Sequence, residues 1–417
     1  MQFILLVGLL ATTLAIAPVR FDREKVFRVK PQDENQANII KDLAKTNKLD
    51  FWYPDAGLHV ATNMTVDFQV SDKESQSIQS ALDQNKMHYE ILIHDLQEVI
   101  EKQFDVKEDM PGRHSYAKYN SWDKIVAWTE KMVHKCPDMV SRIKIGTTVE
   151  DNPLYVLKIG KKDERRKAIF MDCGIHAREW ISPAFCQWFV YQATKTYGKN
   201  KIMTKLLDQM NFYVLPVFNV DGYIWSWKQN RMWRKNRSKN QNSNCIGTDL
   251  NRNFNVSWNA FPTTKDPCKE TYPGPEPESE KETKAVTDFI QSHLKSIKAY
   301  ITIHSYSQML LFPYGYTSEL PPNNEELTKV AKIGTDVLST LYETHYIYGP
   351  IASTIYPTSG SSLDWAYNLG IHHTFAFELR DRGRFGFLLP ESQIKSTCKE
   401  TMLAVKFIAK YILKHTS

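Results

Sequence analysis

The sequence lacks the features that mark several broad classes of protein. After its first residues it contains no stretch approaching the roughly 20 apolar residues that a membrane-spanning helix needs. It contains no internal repeat and no low-complexity tract, which argues against solenoid and fibrous proteins. No nucleic-acid-binding motif is present, so DNA and RNA are poor candidates for a partner. What remains is a globular chain in which 42% of the residues are hydrophobic.

The opening residues, MQFILLVGLLATTLA, form a short apolar run that ends in small residues. This run is too short to span a bilayer and predicts a secretory signal peptide, residues 1–15, cut after Ala15. We therefore expect an exported, soluble protein. Export also makes the sequons at Asn63, Asn236 and Asn255 plausible glycan sites.

Cysteine is scarce, with six residues among 417, and the absence of a C-x-x-C pair makes a zinc finger improbable. In an exported protein, two cysteines close in sequence predict a disulfide that closes a short loop. The predicted pairs are Cys173 with Cys186 and Cys245 with Cys268. Cys136 and Cys398 are far apart in sequence, and the choice between free thiols and a bridge stays open.

The length of 417 residues suggests about two to three domains. Residues 16–109 are patterned as strand, helix, two strands, helix and strand, followed by an amphipathic connecting helix over 96–106. That order predicts a small ferredoxin-like α+β domain. The next segment, KEDMPGRHSYAKY (107–119), has no apolar period and predicts a linker that is open to proteolysis.

Residues 110–417 alternate apolar strands with helices. Strands such as KAIFMDCGIH and IKAYITIH are apolar at nearly every position, which is typical of strands buried on both faces. The alternation predicts an α/β domain with a mixed, mainly parallel sheet covered by helices on both faces.

Charge separates the two parts of the chain. Residues 16–109 carry 12 basic and 18 acidic side chains, whereas residues 110–417 carry 41 basic and 29 acidic ones. An acidic domain followed by a basic one indicates an inhibitory pro-domain and the body that it covers. The basic excess also favours a polyanionic partner, and local clusters such as KKDERRK and KQNRMWRKNRSK support it.

Polar residues mark the ends of four predicted strands. They are His176, followed one turn later by Glu179, then Asn219 with Asp221, His304 and Glu378. Ligands of open α/β sheets bind at the carboxyl ends of strands, and two histidines with a carboxylate are a recurrent catalytic zinc set. An isolated H-x-x-E pair is more often two unrelated residues at a turn. His304 is favoured as the third ligand because the rival histidines His293, His345 and His415 lie on helices or loops.

A second group of polar residues consists of Arg234 in MWRKNRS and Asn251 with Arg252 in GTDLNRNFN. Each arginine by itself is more often a surface charge. Near a metal, however, guanidinium groups suit a fixed anionic group because they bind carboxylate in a bidentate manner.

Five motifs in order, HAREW, DLNRNF, IHSYSQ, STIYPTSGSS and FELRDRGRFGF, resemble those of the zinc metallocarboxypeptidases of the pancreatic type. The resemblance covers essentially the whole secreted chain. It implies one zinc ion bound by His176, Glu179 and His304, with Glu378 as general base and Arg234 stabilising the oxyanion. It further implies that Asn251 and Arg252 hold the substrate's terminal carboxylate, and that Arg178 and Tyr356 complete substrate binding.

The same resemblance places Leu363 at the base of the pocket for the substrate's C-terminal side chain. Leucine cannot pair with a cation, so peptides ending in aromatic or large aliphatic residues are the expected substrates. The small or apolar neighbours Ile351, Thr358 and Ala376 agree with this reading. A shift of one residue would put Asp364 in the pocket instead, an arrangement that the spacing back to Tyr356 disfavours.

The expectation is therefore a secreted zymogen, stored in secretory granules, of a zinc exopeptidase. Its expected partners are peptide and protein C-termini, heparin-like glycosaminoglycan and a protease that cuts the linker. Two alternatives stay open, a zinc deacylase of acylated amino acids and a catalytically silent protein that binds polyanions. Glu378 argues against the second, because a protein that only binds has no need of a carboxylate opposite the metal.

Overall fold

The computed structural model describes residues 17–103, 113–161, 166–260 and 264–416. Its first unit contains β1 (Lys25–Val29), α1 (Glu34–Thr46), β2 (Asp50–Tyr53), β3 (Val66–Val70), α2 (Asp72–Gln84), β4 (Tyr89–Ile93) and α3 (Leu96–Lys102). The four strands form an antiparallel sheet in the order β2-β3-β1-β4. This is the predicted ferredoxin-like arrangement, which is therefore confirmed.

Local sequence explains where the two main helices of this unit begin. The Asp33 side chain accepts a hydrogen bond from the backbone N–H of Gln36, and Ser71 does the same for Glu74. These caps satisfy N–H groups that have no partner within the helix. Phe27, Phe68 and Ile78 then meet in a small core between the sheet and the helices.

The described residues of the second unit contain seventeen strands and α-helices, which build one large sheet and its cover. In order they begin with α4 (Trp122–Lys135), β5 (Val140–Thr147), β6 (Pro153–Ile159), β7 (Ala168–Cys173), α5 (Ile181–Thr196), α6 (Lys201–Gln209), β8 (Asn211–Leu215), α7 (Val220–Lys228), α8 (Lys281–Ser292), β9 (Ile297–Ser305), β10 (Met309–Phe312) and α9 (Asn324–Tyr342). They are followed by β11 (Ile347–Pro350), α10 (Ile351–Thr354), α11 (Ser362–Asn368), β12 (Thr374–Leu379) and α12 (Ile394–His415).

The eight strands of this unit follow the order β11-β10-β12-β9-β7-β8-β6-β5. The central strands β12, β9, β7 and β8 are parallel, while β10 with β12, β6 with β8 and β5 with β6 pair antiparallel. Alternate residues of β7 enter two separate cores, Ile169 and Met171 on one face and Ala168 and Phe170 on the other. The predicted mixed sheet covered on both faces is therefore confirmed.

Several elements differ from the prediction. The strand expected over 211–222 ends at Leu215, because Asn219 accepts a hydrogen bond from the N–H of Gly222 and begins α7. The short elements α6, β10, β11, α10 and α11 were not predicted at all. β10 and β11 are four residues long each, too short for an apolar period to identify them.

The linker prediction is only partly right. Residues 104–112 lie outside the described residues, but residues 113–119 pack on the second unit. The His114 ring stacks on Trp128, and the Tyr116 ring stacks on Tyr191 with 4.0 Å between ring centroids. Tyr119 is 4% exposed and donates a hydrogen bond to the carbonyl of Leu389. Burial of aromatic rings, rather than an apolar period, holds this segment.

The cysteines and sequons can now be compared with their predictions. Disulfides join Cys173 to Cys186 and Cys245 to Cys268, as predicted, and Cys136 and Cys398 are free. The signal-peptide prediction for residues 1–15 lies outside the described residues. Within the described ranges, no helix is both long and apolar enough to cross a membrane.

One of the three sequons is unsuited to carry a glycan in the folded protein. Asn63 and Asn255 are exposed. Asn236, by contrast, is fully buried, and its side-chain amide donates to Glu280 Oε2 over 2.6 Å. The expectation of a glycan at Asn236 is therefore wrong, because its amide nitrogen is enclosed and already bonded.

Candidate metal centre and substrate pocket

The carboxyl ends of three neighbouring parallel strands bring the predicted site residues together. β7 ends at Cys173, three residues before His176, and β9 and β12 place His304 directly opposite Glu378 in the strand register. Because parallel strands end at one edge of the sheet, side chains more than 200 positions apart meet there.

His176, Glu179 and His304 converge on one point. Their ligand atoms all lie within 4.8 Å of one another, and they form the one such group in the described part of the chain. The Nδ1 atoms of His176 and His304 are 3.3 Å apart, and Glu179 Oε1 lies 2.7 Å from Nδ1 of His176. All three side chains are buried.

The outer partners of these side chains suit a metal. His176 Nε2 lies 3.2 Å from Asp249 Oδ1, and His304 Nε2 lies 3.1 Å from the Thr302 hydroxyl. Such contacts on the far ring nitrogen orient an imidazole so that Nδ1 can bind a metal. Two imidazoles and a carboxylate are the donor set of catalytic zinc, so the residues present fit that ion.

Glu378 lies beside this group and faces the same pocket. Burial raises the pKa of its carboxyl well above the ordinary value, and the negative charge of Glu179 raises it further. A carboxyl group with a raised pKa near a metal has the properties of a general base.

Arg234, Asn251 and Arg252 also line the pocket. Arg234 donates to Asp249 Oδ2 through Nε (3.1 Å) and Nη2 (2.8 Å). Burial by itself would lower the pKa of Arg234, but Asp249 and a second nearby carboxylate outweigh it and raise the pKa. Asn251 Oδ1 accepts the N–H of Ser362, which ties the arginine segment to α11.

Leu363 is one of the apolar residues that line the pocket. It is 2% exposed and shares the pocket with Ile351, Thr358 and Ala376. Asp364 does not enter the pocket, because its carboxylate accepts the backbone N–H groups of Gly315 and Tyr316. The alternative with Asp364 in the pocket is therefore excluded.

Comparison with known proteins agrees with this geometry. Residues 125–404 match the family model of zinc carboxypeptidases, and residues 27–103 match that of the carboxypeptidase activation peptide. The chain is 84% identical to human mast cell carboxypeptidase A over 417 residues, with all of both chains covered.

The chain belongs to the zinc carboxypeptidase family.

Other members of the zinc carboxypeptidase family are less similar. The chain is 52% identical to bovine carboxypeptidase B over 415 residues, which cover 100% of this chain and 99% of the relative. Among solved structures, thrombin-activatable fibrinolysis inhibitor superposes with a TM-score of 0.90 and 42% identity, covering 95% of this chain and 100% of that one. With an activation peptide present, the chain is a zinc carboxypeptidase zymogen of the A/B type. Family membership favours a carboxypeptidase over the deacylase and silent-protein alternatives.

In this zymogen the activation peptide reaches into the pocket. Asp50 binds the Arg178 guanidinium with both oxygens, at 3.1 and 2.8 Å, and the carbonyl of Phe51 accepts a further hydrogen bond from Arg178. Asp55 forms an ion pair with Arg252 and lies 3.6 Å from Arg234. Two carboxylates of the activation peptide thus face the arginines that were predicted to bind substrate.

Aromatic contacts complete this cover. The His59 ring stacks on Tyr356 with 4.7 Å between centroids, and Trp52 packs against Tyr306 and Phe387. The pocket that remains has a cavity volume of about 80 Å³. That volume holds several water molecules rather than an amino-acid residue.

Sequence reasoning missed Asp249, which contacts both His176 and Arg234. Its signal was present, since Asp249 directly precedes the quoted Leu250, Asn251 and Arg252. Asp50 and Asp55 were also missed, because nothing local distinguishes them from other surface acids.

Two residues grouped with the site by sequence lie elsewhere. Asn219 caps α7 and donates to the carbonyl of Arg234, so it supports that residue from behind. Asp221 is buried and accepts hydrogen bonds from Thr148 and Asn152, away from the metal ligands.

The basic cluster KQNRMWRKNRSK is less exposed than its composition indicates. Arg231, Arg234 and Lys235 are buried, and Arg237 lies 3.7 Å from the ring centroid of Trp225. Lys228 and Lys239 remain exposed. This segment is therefore not the dense polyanion-binding surface that we expected. In KKDERRK, residues 162–165 lie outside the described residues.

Proposed function

We propose that the mature part of this zymogen removes single C-terminal residues from peptides and proteins, with a preference for aromatic and large aliphatic ones. The observation that carries the proposal is the pocket itself. Its lining combines the His176, Glu179 and His304 group with Glu378, the arginines Arg234 and Arg252, and the apolar Leu363.

His176, Glu179 and His304 would hold one zinc ion per chain. When bound, zinc supplies a Lewis acid that polarises a carbonyl and lowers the pKa of water to about 7. Asp249 and Thr302 orient the two imidazoles through their outer nitrogens.

Glu378 would take the proton of the attacking water and deliver it to the leaving amine. Arg234 is positioned to donate hydrogen bonds to the oxyanion that develops on the scissile carbonyl. Both residues face the pocket beside the ligand group. Donors that are already in place before the reaction stabilise the developing charge without reorganising.

Asn251 and Arg252 would bind the substrate's free C-terminal carboxylate, with Arg178 and Tyr356 completing the contacts. An internal peptide bond offers no carboxylate at this distance from the metal ligands, so the arginines make the enzyme an exopeptidase. Asp55 supports this role, since its carboxylate already pairs with Arg252 in the zymogen.

Leu363 would set the preference for the released residue. A cation buried against leucine has no partner, whereas an aromatic or leucine side chain gains roughly 1.5–3 kcal/mol from burial. Ile351, Thr358 and Ala376 add no charge to the pocket.

The experiment is to cut the purified, zinc-loaded chain in its linker and compare peptides ending in Phe and in Arg. Release of Phe should be faster by at least tenfold, and a chelator should abolish both reactions. Faster release of Arg would refute the assignment of Leu363. Activity that survives complete removal of zinc would refute the metal assignment.

We further propose the domain limits 1–15 for the signal peptide, 16–109 for the inhibitory pro-domain and 110–417 for the catalytic domain. Two disulfides support export to an oxidising compartment. The activating protease would cut in 104–112, between the two described units.

Binding to heparin-like glycosaminoglycan, with storage in secretory granules, is the remaining part of the proposal. It rests on the excess of 41 basic over 29 acidic side chains in residues 110–417. The cut protein should bind a heparin column at low salt and elute as salt increases. Elution in the void volume at low salt would refute it.

A further inference from the structure

Asp364 follows Leu363 on α11, but its carboxylate points away from the substrate pocket. The backbone N–H of Gly315 lies 3.1 Å from Oδ1 and 2.9 Å from Oδ2, and the N–H of Tyr316 donates to Oδ2 over 3.1 Å. The side chain is fully buried. A buried carboxylate that is held by neutral donors costs free energy, so a structural or functional gain must offset it.

The backbone that Asp364 binds also supports one wall of the pocket. The carbonyl of Gly315 accepts the N–H of Thr358 over 2.9 Å, and the carbonyl of Tyr314 accepts the N–H of Ala352 over 2.9 Å. Both bonds lead to the segment 351–358, which contributes Ile351 and Thr358 to the pocket.

The contact between Gly315 and this wall is close. A Cβ atom at position 315 would lie 2.6 Å from Thr358 Oγ1 and 3.3 Å from Ile351 Cγ2. A small movement of the Gly315 backbone would therefore be passed directly to the two pocket residues.

We propose that Asp364 is a positioning residue for substrate specificity, which holds the 351–358 wall of the pocket in place through the backbone of Gly315 and Tyr316. The inference rests on the proposed function, in which this pocket receives the C-terminal side chain of the substrate. A large aromatic side chain contacts the whole wall, whereas an alanine side chain does not reach it. Loss of the Asp364 contacts should therefore weaken binding of a peptide that ends in an aromatic residue much more than binding of a peptide that ends in alanine.

Protonation of Asp364 should have the same effect as its substitution. A protonated carboxyl carries an O–H donor and can no longer accept all of these N–H groups. Burial raises the pKa of Asp364 to about 7. The ionisable side chains on the neighbouring backbone and on α11 include Tyr314, Tyr316 and Tyr367, which carry no charge in this range. α11 also packs on β9, which carries Lys298, Tyr300 and His304, and on β12, which carries Glu378.

The test uses the zinc-loaded chain cut in its linker and two peptides that differ only in a terminal Phe or Ala. The ratio of their kcat/KM values cancels pH effects on the shared metal and on Glu378. In the native protein this ratio should rise about tenfold between pH 5.5 and 8, the scale of charge-assisted hydrogen bonds. In Asp364→Asn it should be low and independent of pH, mainly through a higher KM for the Phe peptide.

Glu282→Gln is the matched control, because Glu282 is also a buried carboxyl whose pKa burial raises, to about 8, but it does not line the pocket. It should keep the native ratio and the native pH profile. If Asp364→Asn does not fold, Gly315→Ala takes its place. Its Cβ would lie 2.6 Å from Thr358 Oγ1 and 3.1 Å from Asp364 Oδ2, so it displaces the wall and crowds the carboxylate but keeps it ionisable. That variant should lower the ratio about tenfold at pH 8 and keep its pH dependence.

The outcomes separate this inference from the proposed function. A native protein that prefers Arg over Phe refutes the pocket assignment, and the role of Asp364 with it. The native protein could instead prefer Phe while the Asp364→Asn variant keeps the native ratio and pH profile. That outcome refutes the role of Asp364 and leaves the proposed function standing. A ratio that is flat with pH in the native protein, or unchanged in Gly315→Ala, also contradicts that role.

Discussion

The activation peptide and the enzyme domain differ in charge and in the way they use it. The first carries 18 acidic and 12 basic side chains over residues 16–109, and the second has a basic excess. Most acidic side chains in the described part of the activation peptide are exposed, but Asp50 pairs with Arg178, and Asp55 pairs with Arg252 in the pocket. Overall charge therefore favours the association of the two domains, while Asp50 and Asp55 supply the carboxylates that pair with arginines across it.

The comparison also concerns the cores. The activation peptide encloses one small core on a four-stranded sheet, whereas the enzyme domain has a separate core on each face of an eight-stranded sheet. Both domains nevertheless hold a buried carboxylate paired with an arginine, Asp249 with Arg234 in the enzyme domain and Asp67 with Arg28 in the activation peptide. The activation peptide in turn places the carboxylates of Asp50 and Asp55 against Arg178 and Arg252.

The largest effects on activity should come from substitutions of His304 and Glu378, which belong to the enzyme domain alone. His304→Ala should lose zinc and activity together, because two remaining ligands bind zinc far more weakly. Glu378→Gln should keep zinc and substrate binding while turnover falls by about 10²–10⁴-fold. Metal analysis and steady-state kinetics on the cut protein check both. Stoichiometric zinc in the His304→Ala protein would remove His304 from the ligand set.

The second prediction breaks the contact between the domains. In the uncut chain, Asp50→Asn combined with Asp55→Asn should leave Arg178 and Arg252 without their charged partners and open the pocket to substrate. Peptidase activity of the uncut protein should rise on the order of 10–100-fold, as for loss of buried charge pairs. Asp22→Asn is the control, since Asp22 forms an exposed pair with Arg20 on the same domain. An equal rise in the control would show that overall charge, rather than the two carboxylates, inhibits the enzyme.

A third prediction uses pH to make the same comparison. Although burial acts to raise the pKa of Asp55, the charge of Arg252 outweighs it and holds the pKa well below its ordinary value. Because the pKa of Asp55 is depressed, its ionised carboxylate stabilises the contact at any pH above about 4, the ordinary pKa of an aspartate. This stabilisation is lost progressively as pH falls below about 4. The cut domains should therefore stay associated at pH 5 to 7 and separate below about pH 4. Gel filtration of the cut protein measures this, and separation already at pH 6 would contradict it.

The smallest expected effect is on the stability of the enzyme domain when one of its disulfides is removed. The disulfide Cys173–Cys186 joins β7 to α5 beside the metal ligands, and the described part of the activation peptide contains no cysteine. Replacing both cysteines with alanine should lower the free energy of unfolding of the enzyme domain by about 2–4 kcal/mol. Calorimetry of the two domains after cutting should show a lower melting temperature for the enzyme domain and an unchanged one for the activation peptide.

The sequence was sufficient for the parts of this protein that depend on local chemistry. Apolar segments predicted the strands, and polar residues at their ends predicted that His176, Glu179, His304 and Glu378 lie together. This worked because parallel strands bring their carboxyl ends to one edge whatever the intervening loops do. Short elements such as β10 and β11 escaped prediction, since four residues carry no measurable period.

Only the tertiary structure determined which charged and polar groups are buried and what they contact. Asn236 was indistinguishable from an accessible sequon, and Arg231 from a surface cation, until the fold enclosed both. The pairs Asp50 with Arg178 and Asp55 with Arg252 join residues more than 120 positions apart, and no local pattern encodes them. Residue identity determines what an ionisable group can do, but the dielectric and the partners that three-dimensional packing supplies determine what it does.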